Sequence, residues 1–470
     1  EVLMSARQAS KWLDREQGGE AGAPPPSAGG DMAAGSAPAV VAAAVGGAPP
    51  PGFPLPASFP PGVDPATYKI AEVTRLLRRA AYFSLFSVHD PAIPNIPIPA
   101  PGNPQSLAGI KVNETTHRFD IRVEVASCDA GLRAANVVGQ TAAHVHIDWL
   151  VIPDDFAAAP DRVPPLTALD PTRSQRFTMM NGSFQFVDKD GSGMKGFGAG
   201  RTFPAVVGGQ PRLNIGANID MLEGLGRLAG LQGCAVVNGY IQPPQNLFIN
   251  IMMRVMDPSD RLQALSRLTP LQPEPDPDPT SVFMTLLGEP DPERPTTLDR
   301  APDGTLAGSS VHELLRLVHV AFDLGKADLG LRSRTKLGEV VGRLSTKLLF
   351  NPLDPATPGT AETPIPFQTR NGELTFWGSG GEEIGSLRAN LVEGRAFTTP
   401  LAGAPMPVFR MIGFGPFLEG TKQFAGASGM LTLSGVVSVF PRTLSNMYIL
   451  RFLDVDGRFR AAVRRLGAPG

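Results

Sequence analysis

The stretch Gly224 to Gly233, GLGRLAGLQG, returns as GTKQFAGASG at Gly420 to Gly429, and each copy runs straight into an apolar segment of strand type. Other blocks recur with it. NGSFQF at Asn181 matches NGELTF at Asn371, GRTF at Gly200 matches GRAF at Gly394, and Arg254 and Asp257 fall on Arg451 and Asp454. Several separate blocks that keep one order, with small drifting offsets, are the mark of a duplicated domain. Whatever fold this chain adopts, it must adopt twice. The glycines narrow the choice further, because glycine takes positive φ and lets backbones approach closely, as a tight corner between strands requires. A phosphate cradle, the other use of clustered glycines, needs a strand before the loop and a helix after it, and here a strand follows.

From Phe119 the hydrophobic period is two. FDIRVEV, HVHIDWLVI, RFTMMNGSFQFVD, CAVVNGYI and NLFINIMMRVMD are each bounded by turn residues, and VGRLSTKLLFNP, NGELTFWG, MLTLSGVVSVF and NMYILRFLDVDGRF repeat the pattern in the second half. Two segments read instead as helices. Asp64 to Phe86 offers Asp64 as N-cap, Pro65 at the first helical position, and Ile70, Val73, Leu76, Leu77 and Ala80 at helical spacing. SVHELLRLVHVAFDLGKADLGL, from Ser310, reads as the second helix. The expected architecture is all-β, with two tandem antiparallel β-barrel domains, each preceded by a helix. Residues 1–63 read as a disordered Ala/Pro/Gly-rich tail, 64–257 as the first helix and barrel, and 258–310 as a Pro/Asp-rich linker with one apolar island at Val282 to Leu287. Residues 311–460 then form the second helix and barrel, and 461–470 a C-terminal tail. The chain opens on Glu1, with Met4 close behind, so its N-terminus is expected to be processed or truncated.

The 470 residues, 42% of them hydrophobic, suffice for several cores. A formal charge of −2 with no Lys/Arg block gives no field to draw in nucleic acid or an anionic membrane. The longest apolar stretch near the start, Ala37 to Ala48, falls short of the ~20 residues that span a bilayer, so no membrane span is expected. Two cysteines, Cys128 and Cys234, imply no disulfide scaffold and fit a reducing, cytoplasmic location. Nucleophile-elbow, H-E-x-x-H, Walker and dinucleotide motifs are missing, so the expected cofactor set is none.

Within HVHID, alternation puts His144, His146 and Asp148 on one strand face and Val145, Ile147 and Trp149 on the other. The first face serves as metal ligands, as an acid–base or ligand-orienting group in a lumen, or as a solvated wall. Metal is the hardest of these to build, since a third ligand along a straight strand lies ~6–7 Å per i,i+2 step away. The matching strand of the second copy reads as Leu344, Thr346 and Leu348, which places the chemistry in the first barrel. DKDGSG at Asp188 to Gly193 imitates half a calcium loop, but Ala199 stands where the bidentate Glu belongs, so a polar turn is expected. Arg254 and Arg451 lie late in apolar strands and must pair with a carboxylate, Asp257 and Asp454 being candidates, reach solvent, or bind an anionic group. Glu223 and Glu419, each preceding a glycine phrase, serve as corner hydrogen bonds or as carboxylates at a barrel mouth.

The run GPFLEGTKQFAGASGMLTLSGVVSVFPRTLSNMYILRFLDV resembles the closing region of the allene oxide cyclase/dirigent superfamily, and LEGLGRLAGLQGCAVVNGYI resembles it less closely. The resemblance covers about a quarter of each half and rests on turn-forming and barrel-forming residues. It implies an eight-stranded antiparallel barrel whose apolar lumen holds a fatty-acid-like, terpenoid or phenolic molecule. No catalytic residue of that family maps onto this chain. The expected function is a cofactor-independent cyclase or isomerase, with His144, His146 and Asp148 as catalytic residues and Arg254, Arg451, Glu223 and Glu419 as ligand contacts. A non-catalytic lipophilic-ligand carrier or assembly module is the alternative, and a metal-dependent oxygenase the third. The barrels are expected to pack on each other within the chain, or whole chains to pair.

Overall fold

A computed structural model describes residues 80–89, 93–122, 133–135, 141–186, 192–207, 209–242, 246–256, 281–302, 306–321, 340–350, 363–399, 408–438, 443–454 and 456–466. The first half holds β1 (Ala80–His89), β2 (Ile96–Ala100), β3 (Asn103–Arg122), β4 (Arg133–Ala135), β5 (Thr141–Val151), β6 (Arg176–Phe186), β7 (Gly193–Val207), β8 (Gln210–Leu225), β9 (Gln232–Gln242) and β10 (Asn246–Met256). The second holds β11 (Ser281–Pro290), β12 (Thr297–Arg300), β13 (Leu306–Ala321), β14 (Val340–Phe350), β15 (Ile365–Trp377), β16 (Glu383–Ala389), β17 (Glu393–Thr399), β18 (Val408–Gly420), β19 (Gly429–Ser438) and β20 (Thr443–Leu453), followed by helix α1 (Arg458–Arg465).

Each half closes on itself. In the first, antiparallel pairing runs β1-β10-β9-β8-β7-β6-β5-β3, and β1 pairs back onto β3. In the second, β11-β20-β19-β18-β16-β15-β14-β13 closes through β11 and β13, with β16 and β17 sharing one position in the wall. Closure removes the free sheet edges that would otherwise recruit other chains. The repeat is visible in the backbone. Asn181 and Asn371 occupy matching bulges with φ of 52° and 53°. The glycine phrases become 3-10 turns at Gly226–Leu228 and Lys422–Phe424, with Gly230 and Gly426 both at positive φ. Each turn joins two strands and drives a buried side chain, Leu228 or Phe424, into the end of its barrel.

The helix expected before the second barrel is a strand. In β13 the inward positions are Val311, Glu313, Leu315 and Leu317, but Leu314 on the other parity supplies an apolar residue at helical spacing as well. Glu313 also breaks the inward stripe, so the period of two is masked in the sequence. Closing the barrel between β14 and β11 decides the matter, since both edges of β13 gain backbone partners. Of the first expected helix, Ala80 to Phe86 lies in β1, and residues 64–79 fall outside the described residues, as does the tail at 1–63. Within the segment read as linker, the island Val282 to Leu287 forms the centre of β11 and completes the second barrel.

The expected C-terminal tail is partly core. Phe459, Ala462, Val463 and Leu466 on and after α1 join the second barrel's interior, with Phe459 stacked on Phe452 at 5.6 Å. Asp454 fixes where α1 starts, its carboxylate accepting from the backbone N–H of Phe459 at 2.9 Å and of Arg460 at 2.7 Å. The helix thereby plugs one end of that barrel. Among the described residues, no helix is long and apolar enough to cross a membrane.

The barrels pack wall to wall through β8–β9 of the first and β17–β20 of the second. Asn218 donates to the Glu393 backbone carbonyl, Arg201 to the Glu393 carboxylate at 3.1 Å, and Arg395 to Asp220. Burial pushes the Asp220 carboxyl up to about 6, against the opposing pull of Arg395. We predict that a protease site inserted between Asp257 and Ser281, cut after folding, leaves both halves in one particle at micromolar concentration by size-exclusion chromatography. Separate elution would show that this buried polar contact does not hold the barrels together.

Candidate functional site in the second barrel

The His face points outward. Val145, Ile147 and Trp149 fill the first barrel's core, which puts His144, His146 and Asp148 on the outer wall. His146 is 44% exposed; its Nδ1 lies 2.9 Å from Asn113 Oδ1, and its Nε2 lies 3.8 Å from Asp148. Asp148 accepts from Asn181 Nδ2 at 2.7 Å. This is a polar ladder across β3, β5 and β6, not a lumen acid–base pair. The matching face of the second barrel is not Leu344, Thr346 and Leu348. Pairing with the next strand is interrupted between His146 and Asp148 and again between Ser345 and Lys347, so Arg343, Ser345 and Lys347 hold the equivalent places. Thr346 lies at the second break. His312 Nδ1 lies 3.0 Å from Ser345 Oγ, repeating the Asn113–His146 pair with the imidazole on the other strand. Among the described residues, no group of three or more His, Cys, Asp or Glu side chains is placed to hold a metal ion.

Arg254 and Arg451 are completely buried between the barrels. Arg254 donates to the Gly435 carbonyl at 2.5 Å, and Arg451 donates to the matching Gly239 carbonyl at 2.5 Å. Arg451 adds bonds to Asn238 at 2.9 Å and Asn214 at 2.6 Å, and lies 5.2 Å from the Tyr240 ring centroid. The pair is thus a two-fold-like clamp between barrel walls. Asp454, expected as a partner, is engaged at α1; Asp257 lies outside the described residues. Glu223 and Glu419 form exposed ion pairs with Lys195 at 2.8 Å and Arg388 at 2.9 Å on the outer walls. None of these side chains meets another of the expected site in a common pocket. The calcium-like DKDGSG lies largely outside the described residues.

The interior polar group is elsewhere. In the second barrel Glu313 is fully buried and accepts from the Tyr448 hydroxyl at 2.7 Å and from the Asn446 amide. Asn446 and Tyr448 share their parity with Leu450 and Phe452, which places them on the inward face of β20. Burial pushes the Glu313 carboxyl up to about 7, against the pull of its two donors, and burial beside that carboxyl pushes the Tyr448 phenol well above its ordinary range. Strand glycines make the room. A Cβ at Gly288 would collide with Glu313 Oε2, and one at Gly435 with Asn446 Oδ1.

In the first barrel Glu114 holds the backbone register of Glu313, but Ile249 and Ile251 stand where Asn446 and Tyr448 stand in the second. The first barrel's interior leaves about 10 Å³ of free volume among Val112, Ile147, Trp149, Met179, Ile215, Val237 and Ile249, room for about one water molecule. The signal for the triad was present in the repeat. Aligning Arg254 with Arg451 sets NMY over INI, a polar-for-apolar exchange at two positions of one parity. Comparison of the chain with family models, curated proteins and solved structures finds no match. Nothing in these comparisons ties it to the allene oxide cyclase/dirigent superfamily.

Proposed function

We propose that the chain is a cofactor-independent isomerase or cyclase of an apolar small molecule, and that its proton-transfer group is Glu313 in the second barrel. The observation that carries this reading is the Glu313–Tyr448–Asn446 triad set among the apolar side chains of the second barrel's core. Burying a carboxyl is costly, and such a cost is characteristic of functional sites. A carboxyl titrating near 7 is suited to both taking and returning a proton at neutral pH. In the proposed step the Glu313 carboxylate removes a proton from a carbon next to a carbonyl, the C–H electron pair forms the enolate, and the proton returns to another carbon of the same molecule. The first barrel, which has Ile249 and Ile251 at the places of Asn446 and Tyr448, acts as the scaffold on which the second is seated. The same reading keeps the protein in the cytoplasm, in line with the free buried thiol of Cys234.

The test needs no knowledge of the natural substrate. In D2O, the full chain should speed exchange of the α-protons of 2-tetralone, an apolar ketone, by ~100-fold or more over buffer, and Glu313→Gln should remove the effect. Exchange at the buffer rate with the unaltered chain, or exchange that survives Glu313→Gln, overturns the assignment.

A further inference from the structure

Asn446 is the member of the triad whose hydrogen bonding is incomplete. Its amide nitrogen donates to Glu313 and faces the Tyr448 hydroxyl at 3.4 Å. Its Oδ1, on a residue only 5% exposed, has no hydrogen-bond partner among the described residues. Turning the amide over does not help, because that would set oxygen against the Glu313 carboxylate and leave the NH2 group unpaired instead. Glycine at 435 keeps a methyl group from covering this oxygen.

The surroundings say what kind of molecule would reach it. Towards the end of the barrel opposite α1, the inward side chains beyond the triad include Val311, Phe350, Ile365 and Met411. All four are half-buried and apolar, so this end is a greasy rim above a polar floor. A carboxylate head group is excluded there, since it brings only acceptors to a floor that already presents Asn446 Oδ1 and the Glu313 carboxylate. A hydroxyl supplies the missing donor.

Resting on the reading of the second barrel as the ligand-binding one, we infer that it takes a neutral apolar molecule with a hydroxyl head group. The O–H of this alcohol, phenol or enol donates to Asn446 Oδ1, and its hydrocarbon lies against Val311, Phe350, Ile365 and Met411. Fatty acids, which the sequence resemblance had included, are selected against.

Three naphthalenes test this with the full chain at pH 8, by titration calorimetry. 2-Naphthol should bind at one equivalent, about 10-fold tighter than 2-methoxynaphthalene, which lacks the donor, with 2-naphthoate weaker still. Asn446→Leu should erase the gap between naphthol and its methyl ether, and Gly435→Ala should weaken naphthol by at least that factor. Equal binding of naphthol and the ether to the unaltered chain, or naphthoate binding most tightly, overturns the head-group assignment while leaving the barrel as a binding site. Naphthol binding that is indifferent to Gly435→Ala overturns its placement. If none of the three binds, the ligand-binding reading of the second barrel falls with it.

Discussion

Arg451→Ala is expected to cost about 3–5 kcal/mol of unfolding free energy, the largest loss of any single substitution considered. The guanidinium is fully buried, so its removal leaves the Asn214 and Asn238 side-chain oxygens and the Gly239 carbonyl without this donor, in a place water does not reach. Arg451→Lys should recover little, because a single ammonium cannot meet three acceptors from two sides of a planar fork. The control is Arg388→Ala, which breaks an exposed pair with Glu419 and should change stability by less than ~1 kcal/mol. Urea denaturation of the three variants settles the point. Equal small losses at 388 and 451 would mean that the inter-barrel clamp is ornamental.

The second large effect is a dependence on pH. Glu313 is raised from the ordinary carboxyl value of 4.5 to about 7, so the folded chain holds this proton more tightly than the unfolded one. The stability it lends is complete below about pH 4.5 and is lost as pH rises through 7. Glu313→Gln lacks the titration. The difference in unfolding free energy between the two proteins should therefore swing by about 3 kcal/mol towards the glutamine variant from pH 4 to pH 8. Asp220, raised to about 6, titrates in both and cancels in the difference. A difference that stays flat across this range would show that Glu313 is hydrated or ionised throughout, and would remove it as a proton-transfer group near neutrality.

What the sequence revealed and what it hid follow from one physical distinction. Turn chemistry and repeated order are local, so the glycine phrases, the alternating strands and the duplication were readable from residues such as Gly230, Gly426, Asn181 and Asn371. Which side of a strand faces inward is not local. His144, His146 and Asp148 shared one face as expected, but only the packing of Val145, Ile147 and Trp149 shows that face to be the outside. Glu313 was disguised twice, once by apolar neighbours on both parities that mimic a helix, and again because a lone Glu on a helix would be unremarkable. Arg254 and Arg451 were legible as unusual. Their acceptors, backbone carbonyls 181 and 212 residues away, were not.

The closure of each barrel by its own first and last strands has a bearing on synthesis. β1 meets β10, so the first barrel can complete itself once residue 256 has left the ribosome, while the second waits for β20 and then for the helix that stoppers it. During that interval a finished first barrel presents an unshielded wall carrying Arg254, Asn214 and Asn238, with its intended mate still being made. Neighbouring chains on one polysome display the same wall at the same moment. The rate of translation across residues 257–453 therefore sets how long each nascent chain is exposed to the wrong partner.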